Sequence, residues 1–153
     1  MTIRCEIVTQ ERLVYSEDVD IVNLPGIEGR MGILPNHSSL LTVLDFGEVI
    51  VRRNGEEEFF AIGGGFAEVQ PDKVIVLADS AAHAEEIDEA RAAEARQLAI
   101  KQMDEGVDID PDAYKMIEQS LRWANLRLDI SKRRQRSGGA RRRNVPDFSE
   151  GAE

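Results

Sequence analysis

Cysteine is almost absent: Cys5 is the single thiol in 153 residues, so no internal disulfide can form. Histidine is nearly as scarce, and His37 and His83 stand too far apart to make a zinc-ligand pattern. No window approaches the roughly 18 uninterrupted apolar residues that a membrane span needs. The start, Met1-Thr2-Ile3-Arg4-Cys5, enters an alternating strand pattern with neither the charged nor the apolar region of an export signal. Metal, redox, membrane-spanning and secreted classes are therefore disfavoured, and a cytoplasmic protein is expected. Basic charge is also missing from most of the chain. Residues 1 to 86 carry 6 basic and 16 acidic side chains, residues 87 to 131 carry 6 and 10, and residues 132 to 153 carry 7 and 3. Because Lys and Arg neutralising phosphates supply most nucleic-acid affinity, an acidic body argues against such a ligand, and only the tail could bind one.

What is present divides the chain in two. Up to Ala78, short alternating or apolar runs are punctuated by turn residues, and strands are expected over 3–8, 19–24, 47–53, 59–62, 66–69 and 74–78. Leu24-Pro25-Gly26, Arg53-Asn54-Gly55 and Pro71-Asp72 supply the turns. Many short strands with close turns indicate a small sandwich or barrel. After Asp79 the composition shifts to Ala, Glu, Arg and Gln, which places a boundary between about residues 79 and 87. A helix is expected over 87–103 and a second to about Lys132, with Asp110 as its cap and Pro111 at its first position. Tyr114, Ile117, Leu121, Ala124 and Leu128 recur at spacings of 3 and 4, the seam along which one helix packs on another in an antiparallel hairpin. The chain thus reads as α+β by composition: a β domain over 1–86, a helical hairpin over 87–136 and a tail over 137–153 expected to be disordered.

Individual residues offer little chemistry. Gly63-Gly64-Gly65 lies between two strand-like runs, with no helix start to hold a phosphate, so a tight bend in a sheet is the better reading. His37 and Ser38 invite a catalytic pair, yet no orienting acid or oxyanion hole accompanies them, and a loop residue at a protein contact fits better. Glu56-Glu57-Glu58 reads as a solvated strand edge. Asp88 and Arg91, three apart on a helix, make a surface ion pair or a ligand site, with the ion pair favoured. The tail arginines could meet RNA or an anionic membrane, or simply keep the tail in solution.

Taken in order, several stretches resemble the epsilon subunit of F-type ATP synthases, called delta in mitochondria. They are Leu24-Pro25-Gly26 with Glu28-Gly29, Gly32-Ile33-Leu34-Pro35-Asn36-His37, Leu40-Leu41-Thr42, Gly63-Gly64-Gly65-Phe66-Ala67-Glu68-Val69, Val76-Leu77-Ala78-Asp79, and Ile87-Asp88-Glu89-Ala90-Arg91-Ala92. The resemblance covers residues 1 to about 132 and implies a non-catalytic rotor subunit. Its N-terminal part would be a ten-stranded sandwich binding the gamma subunit and resting on the membrane c-ring. It would sit peripherally on the cytoplasmic face of a bacterial membrane. The loop matching residues 28–38 contacts the c-ring in the family, so Glu28, Gly29, Arg30 and His37 are the candidate contacts. The hairpin of bacterial members lies on the sandwich or extends into the catalytic head, where it blocks ATP hydrolysis. Arg122, Arg127, Lys132, Arg133 and Arg134 could then meet acidic surfaces of the alpha and beta subunits. No cofactor is required, but some members bind regulatory ATP at the segment matching residues 87–92. Asp88, Arg91 and Arg96 are the candidate ligands, although Ala82 and Leu98 stand where nucleotide-binding relatives usually have Glu and Arg. An alternative from another class is a stand-alone ATP sensor whose hairpin closes on nucleotide.

Overall fold

Asn54 and Gly55 take positive φ of 52° and 80°, and Arg53 pairs with Glu56 across them. A two-residue turn of this kind matches the twist of the strands it joins, so an Asn-Gly pair closes a long hairpin. Its arms are β5 (Leu40–Arg53) and β6 (Glu56–Val69), paired antiparallel along nearly their whole length. The other strands are β1 (Ile3–Val8), β2 (Leu13–Val19), β3 (Ile21–Gly26), β4 (Gly29–Ile33), β7 (Lys73–Ala78) and β8 (Ala81–His83). These belong to a computed structural model describing residues 1–106 and 110–142, with side-chain surroundings given through Arg134 outside 107–109.

Eight strands fold into a two-layered sandwich, where ten were expected. The difference lies in β5 and β6, each of which serves both layers. The first half of β5 and the second half of β6 continue into β7, β1 and β2, with β1 and β7 parallel. The second half of β5 and the first half of β6 are flanked by β3, β4 and β8. The layers thus have five strand segments each, joined by unbroken chain. Between them lies the core, including Ile3, Ile7, Val22, Leu24, Val49, Phe60, Ile62, Val74 and Val76, all fully buried. Burying side chains of this size stabilises by about 1.5–3 kcal/mol each before chain entropy is counted.

Gly63-Gly64-Gly65 sits where β6 passes between the layers, as the bend expected there. Gly64 and Gly65 have φ of 86° and 133°, and a Cβ on Gly65 would lie 2.1 Å from the Leu77 carbonyl oxygen. Asp79 N–H donates to the Gly64 carbonyl and Gly63 N–H to that of Ser80, so the bend is tied to the β7–β8 connection. The strands missing from the sequence reading are β2, β4 and β8.

A short 3-10 turn, Ala84–Glu86, leads to α1 (Glu89–Glu105) and α2 (Pro111–Arg142). Asp110 caps α2 as expected, accepting from Asp112 N–H, and Pro111 opens it. Asp108, which with Asp110 and Asp112 makes the junction between the helices acidic in sequence, lies outside the described residues. The second helix runs past its expected end near Lys132 and takes in 137–142, which were assigned to a disordered tail. Arg, Gln and Ala favour helix enough to carry it across Gly138-Gly139, at about 1 kcal/mol for each glycine. The rest of that tail, 143–153, lies outside the described residues. Ala92 and Ala99 of α1 and Ala124 of α2 are buried, and Arg96 Nε donates to Asn125 Oδ1 across the hairpin at 2.9 Å.

Candidate functional site

Two surfaces carry what this chain offers a partner. The first is the outer face of the layer built from β5, β6 and β7. Val43 pairs with Phe66 and Phe66 with Leu77, so three apolar side chains form a row across three strands. Phe66 is 51% exposed, Leu77 50% and Val43 42%. Ile27 N–H donates to the Val43 carbonyl, bringing the exposed Ile27 to the end of the row, and Leu41 lies two residues along β5 from Val43 at 71% exposure. Apolar faces of this kind are uncommon on acidic domains, which makes this one a candidate docking face.

The segment expected to be one contact loop is not one. Glu28 belongs to the β3–β4 turn, Gly29 and Arg30 open β4, and His37 follows the far end of that strand. Five strand residues separate turn from histidine, a span of about 16 Å. Arg30 Nη2 donates to the Glu48 carbonyl at 2.9 Å, which holds it against β5. His37 N–H donates to the Leu34 carbonyl, and its Nδ1 lies 2.7 Å from the Ser38 carbonyl oxygen. Those partners are backbone groups, so the acid that a catalytic histidine needs is not among them.

The second surface is where α2 lies on the sandwich. Trp123, Leu126 and Ile130 pack with Ile87 against Phe59, Ala61 and Ala84. Trp123 lies over Gly63, where a Cβ would come 3.1 Å from its ring. Ion pairs rim this contact. Arg122 meets Asp45 at 3.1 Å and stacks 4.4 Å from the centre of the Phe46 ring. Arg133 meets Glu48 at 2.8 Å, and Arg134 pairs with Glu85. The Arg134 guanidinium holds the Glu85 carboxyl below the usual range, and Arg12 does the same for Glu86. Arg127 lies over the Trp123 ring with its Nε buried and unpartnered, and burial pushes its pKa down. Lys132 is exposed. Of the five basic residues named as candidate contacts to the alpha and beta subunits, Arg122, Arg133 and Arg134 are thus paired with the sandwich and its following turn, and Arg127 is half-buried.

The candidate nucleotide ligands are occupied structurally. Asp88 caps α1 by accepting from Arg91 N–H, the Arg91 side chain is 3.7 Å from the same carboxylate, and Arg96 bridges the helices. Ala82 lies in β8 and pairs with Ala61, while Leu98 is exposed on α1. A cavity of about 750 Å³ beside the β5–β6 turn is lined by Glu56, Glu57, Glu58, His83, Glu85 and Arg134 among others. His83 Nδ1 accepts from Glu85 N–H, so that ring serves as a cap. No group of His, Cys, Asp and Glu suited to a metal ion occurs among the described residues. Burial pushes the Cys5 thiol up to about 12, which removes its nucleophilic form at neutral pH.

Sequence reasoning did not find Trp123, Leu126 and Ile130 as a second apolar face of α2, nor Asp45, Glu48 and Glu85 as its partners. The spacing of 3 and 4 from Trp123 through Leu126 to Ile130 was the available signal.

The family model for the beta-sandwich domain of the ATP synthase delta/epsilon chain matches residues 2–84. The ATP synthase epsilon chain of Herpetosiphon aurantiacus is 48% identical over 134 residues, covering 88% of this chain and 97% of that protein. That of Dehalococcoides mccartyi is 46% identical over 134 residues, covering 88% and 95%. Among solved structures, a chain of the Euglena gracilis mitochondrial ATP synthase OSCP/F1/c-ring assembly aligns with TM-score 0.67 at 25% identity, covering 82% of this chain and 78% of that one. A chain of the Tetrahymena thermophila central stalk and c-ring shares the fold, with TM-score 0.54 at 18% identity, covering 87% and 96%. With the family model over the sandwich and relatives of this identity over most of the chain, the chain belongs to the ATP synthase epsilon chain family.

Proposed function

We propose that this chain is a non-catalytic central-stalk subunit of a proton-translocating ATP synthase. Its sandwich joins the gamma subunit to the c-ring, and its hairpin restrains ATP hydrolysis by the alpha and beta subunits. The subunit sits peripherally on the cytoplasmic face of a bacterial membrane. The observation that carries this reading is the apolar row of Ile27, Val43, Phe66 and Leu77 with Leu41 beside it, a seat of the size and chemistry a rotor neighbour would cover. The likeness to a chain of the Euglena gracilis OSCP/F1/c-ring assembly supports a neighbour drawn from such an assembly. Glu28, Gly29 and Arg30 at one end of β4 and His37 at the other are assigned to the c-ring contact. Their separation gives them two patches of that surface rather than one loop.

The ATP-sensor reading has less support, because Asp88, Arg91 and Arg96 already cap and brace the hairpin. Nucleotide binding is accordingly an accessory regulation in this proposal and not a requirement.

Phe66→Asp with Leu41→Asp should lower co-purification of gamma by tenfold or more, since a buried aromatic anchor is worth about 2 kcal/mol or more at an interface. Removing residues 87 to 153 should leave co-purification intact and raise hydrolysis by the assembled catalytic complex. Undiminished gamma recovery with the double variant would overturn the assignment of the apolar face.

A further inference from the structure

We propose that the hairpin is held on the sandwich by an electrostatic latch in which Asp45, Glu48 and Glu85 compete with the catalytic head for the same three arginines. The inference rests on the inhibitory reading above for its consequence, but the latch itself is a property of this chain alone.

Apart from the hairpin's own packing, what holds α2 down is modest. On the sandwich side Trp123, Leu126 and Ile130 meet one large side chain, Phe59, among the small residues Ala61, Gly63 and Ala84, so the apolar contact is small. Around it lie Arg122 with Asp45, Arg133 with Glu48 and Arg134 with Glu85, spread along three turns of the helix. Each acid comes from a different place: Asp45 from the crossing point of β5, Glu48 from its second half, and Glu85 from the 3-10 turn. The Glu48 side chain is only 12% exposed, so lifting the helix would strip a largely enclosed carboxylate of its cation. A partly buried carboxylate losing its partner costs more than a solvated one, which makes Glu48 the strongest of the three. A guanidinium committed to one of these acids is not available to an acidic surface elsewhere, so docking and head contact exclude each other through shared charge.

Trp123 is the single tryptophan of the chain and lies within the docked surface, so its accessibility reports the latch directly. Acrylamide quenching of Trp123 in the isolated full-length chain should rise as KCl increases from about 0.01 to 1 M, because the screening length falls from about 30 to 3 Å. In Asp45→Asn, Glu48→Gln, Glu85→Gln the lifted fraction at low salt should be roughly tenfold larger, the effect of three such pairs, with little further response to salt. Asp45→Arg alone should loosen the helix, and Asp45→Arg with Arg122→Asp should restore it, which separates lost charge pairing from damaged folding. Quenching that is salt-independent in the parent chain, or equal in parent and triple variant, overturns the latch. The acid variants leave every arginine in place, so hydrolysis by the complex should fall as Trp123 is released. Release of Trp123 with unchanged hydrolysis leaves the latch standing and overturns the inhibitory reading instead.

Discussion

A methyl group at position 65 has nowhere to go: it would meet the Leu77 carbonyl oxygen at 2.1 Å and the Ala78 backbone at 2.9 Å, on a residue whose φ is already 133°. Gly65→Ala should therefore destabilise by about 2–4 kcal/mol in thermal unfolding, combining strain with a displaced strand. Gly55→Ala, at φ 80° with nothing within 4 Å, should cost only about 1–2 kcal/mol. Equal costs at the two sites would show that backbone conformation, rather than the approach of β7, sets the requirement. The bend was legible because three glycines between two strand-like runs leave few other roles. That Gly63 serves α2 was not, since the sequence does not say which ring will lie on it.

Helix α2 shows why the hairpin was easier to foresee than its docking. Ile117, Leu121, Ala124 and Leu128 follow a single period and are buried or half-buried, with Tyr114 of the expected seam exposed, whereas Trp123, Leu126 and Ile130 share their turns with arginines and blend into a polar face. The edge strands were hidden for a related reason. In β2, Ser16, Glu17 and Asp18 interrupt the alternation, and in β4 two glycines in five residues leave few side chains to read. The docked helix also carries a pH dependence. Glu85 and Glu86 titrate below the ordinary glutamate range because hydrogen bonds from Arg134 and Arg12 favour their charged forms. A depressed carboxyl contributes above its free value, and the contribution is lost as pH falls through the bound one. Trp123 quenching should accordingly hold steady from pH 7 to 5 and rise below about 4.5, with the β-sheet circular dichroism retained at the onset. A rise already under way well above pH 5 would sink this assignment.

Across the whole molecule the core lies within the first 78 residues, while the hairpin adds a small separate cluster around Ile130. Residues 1 to 86 should fold alone with a single melting transition, roughly 5–10 °C below the full chain, because about 1–2 kcal/mol of docking contact is lost. A broad, non-cooperative melt of that fragment would show that the sandwich depends on its helices. Two strands that each belong to both layers have a mechanical consequence. Neither layer can peel away while β5 and β6 remain intact, because each strand is covalently continuous through the edge where the layers meet. A load applied to one face therefore travels along peptide bonds to the other, instead of relying on apolar contacts that slide. Stiffness against shear is thus built into the path of the chain.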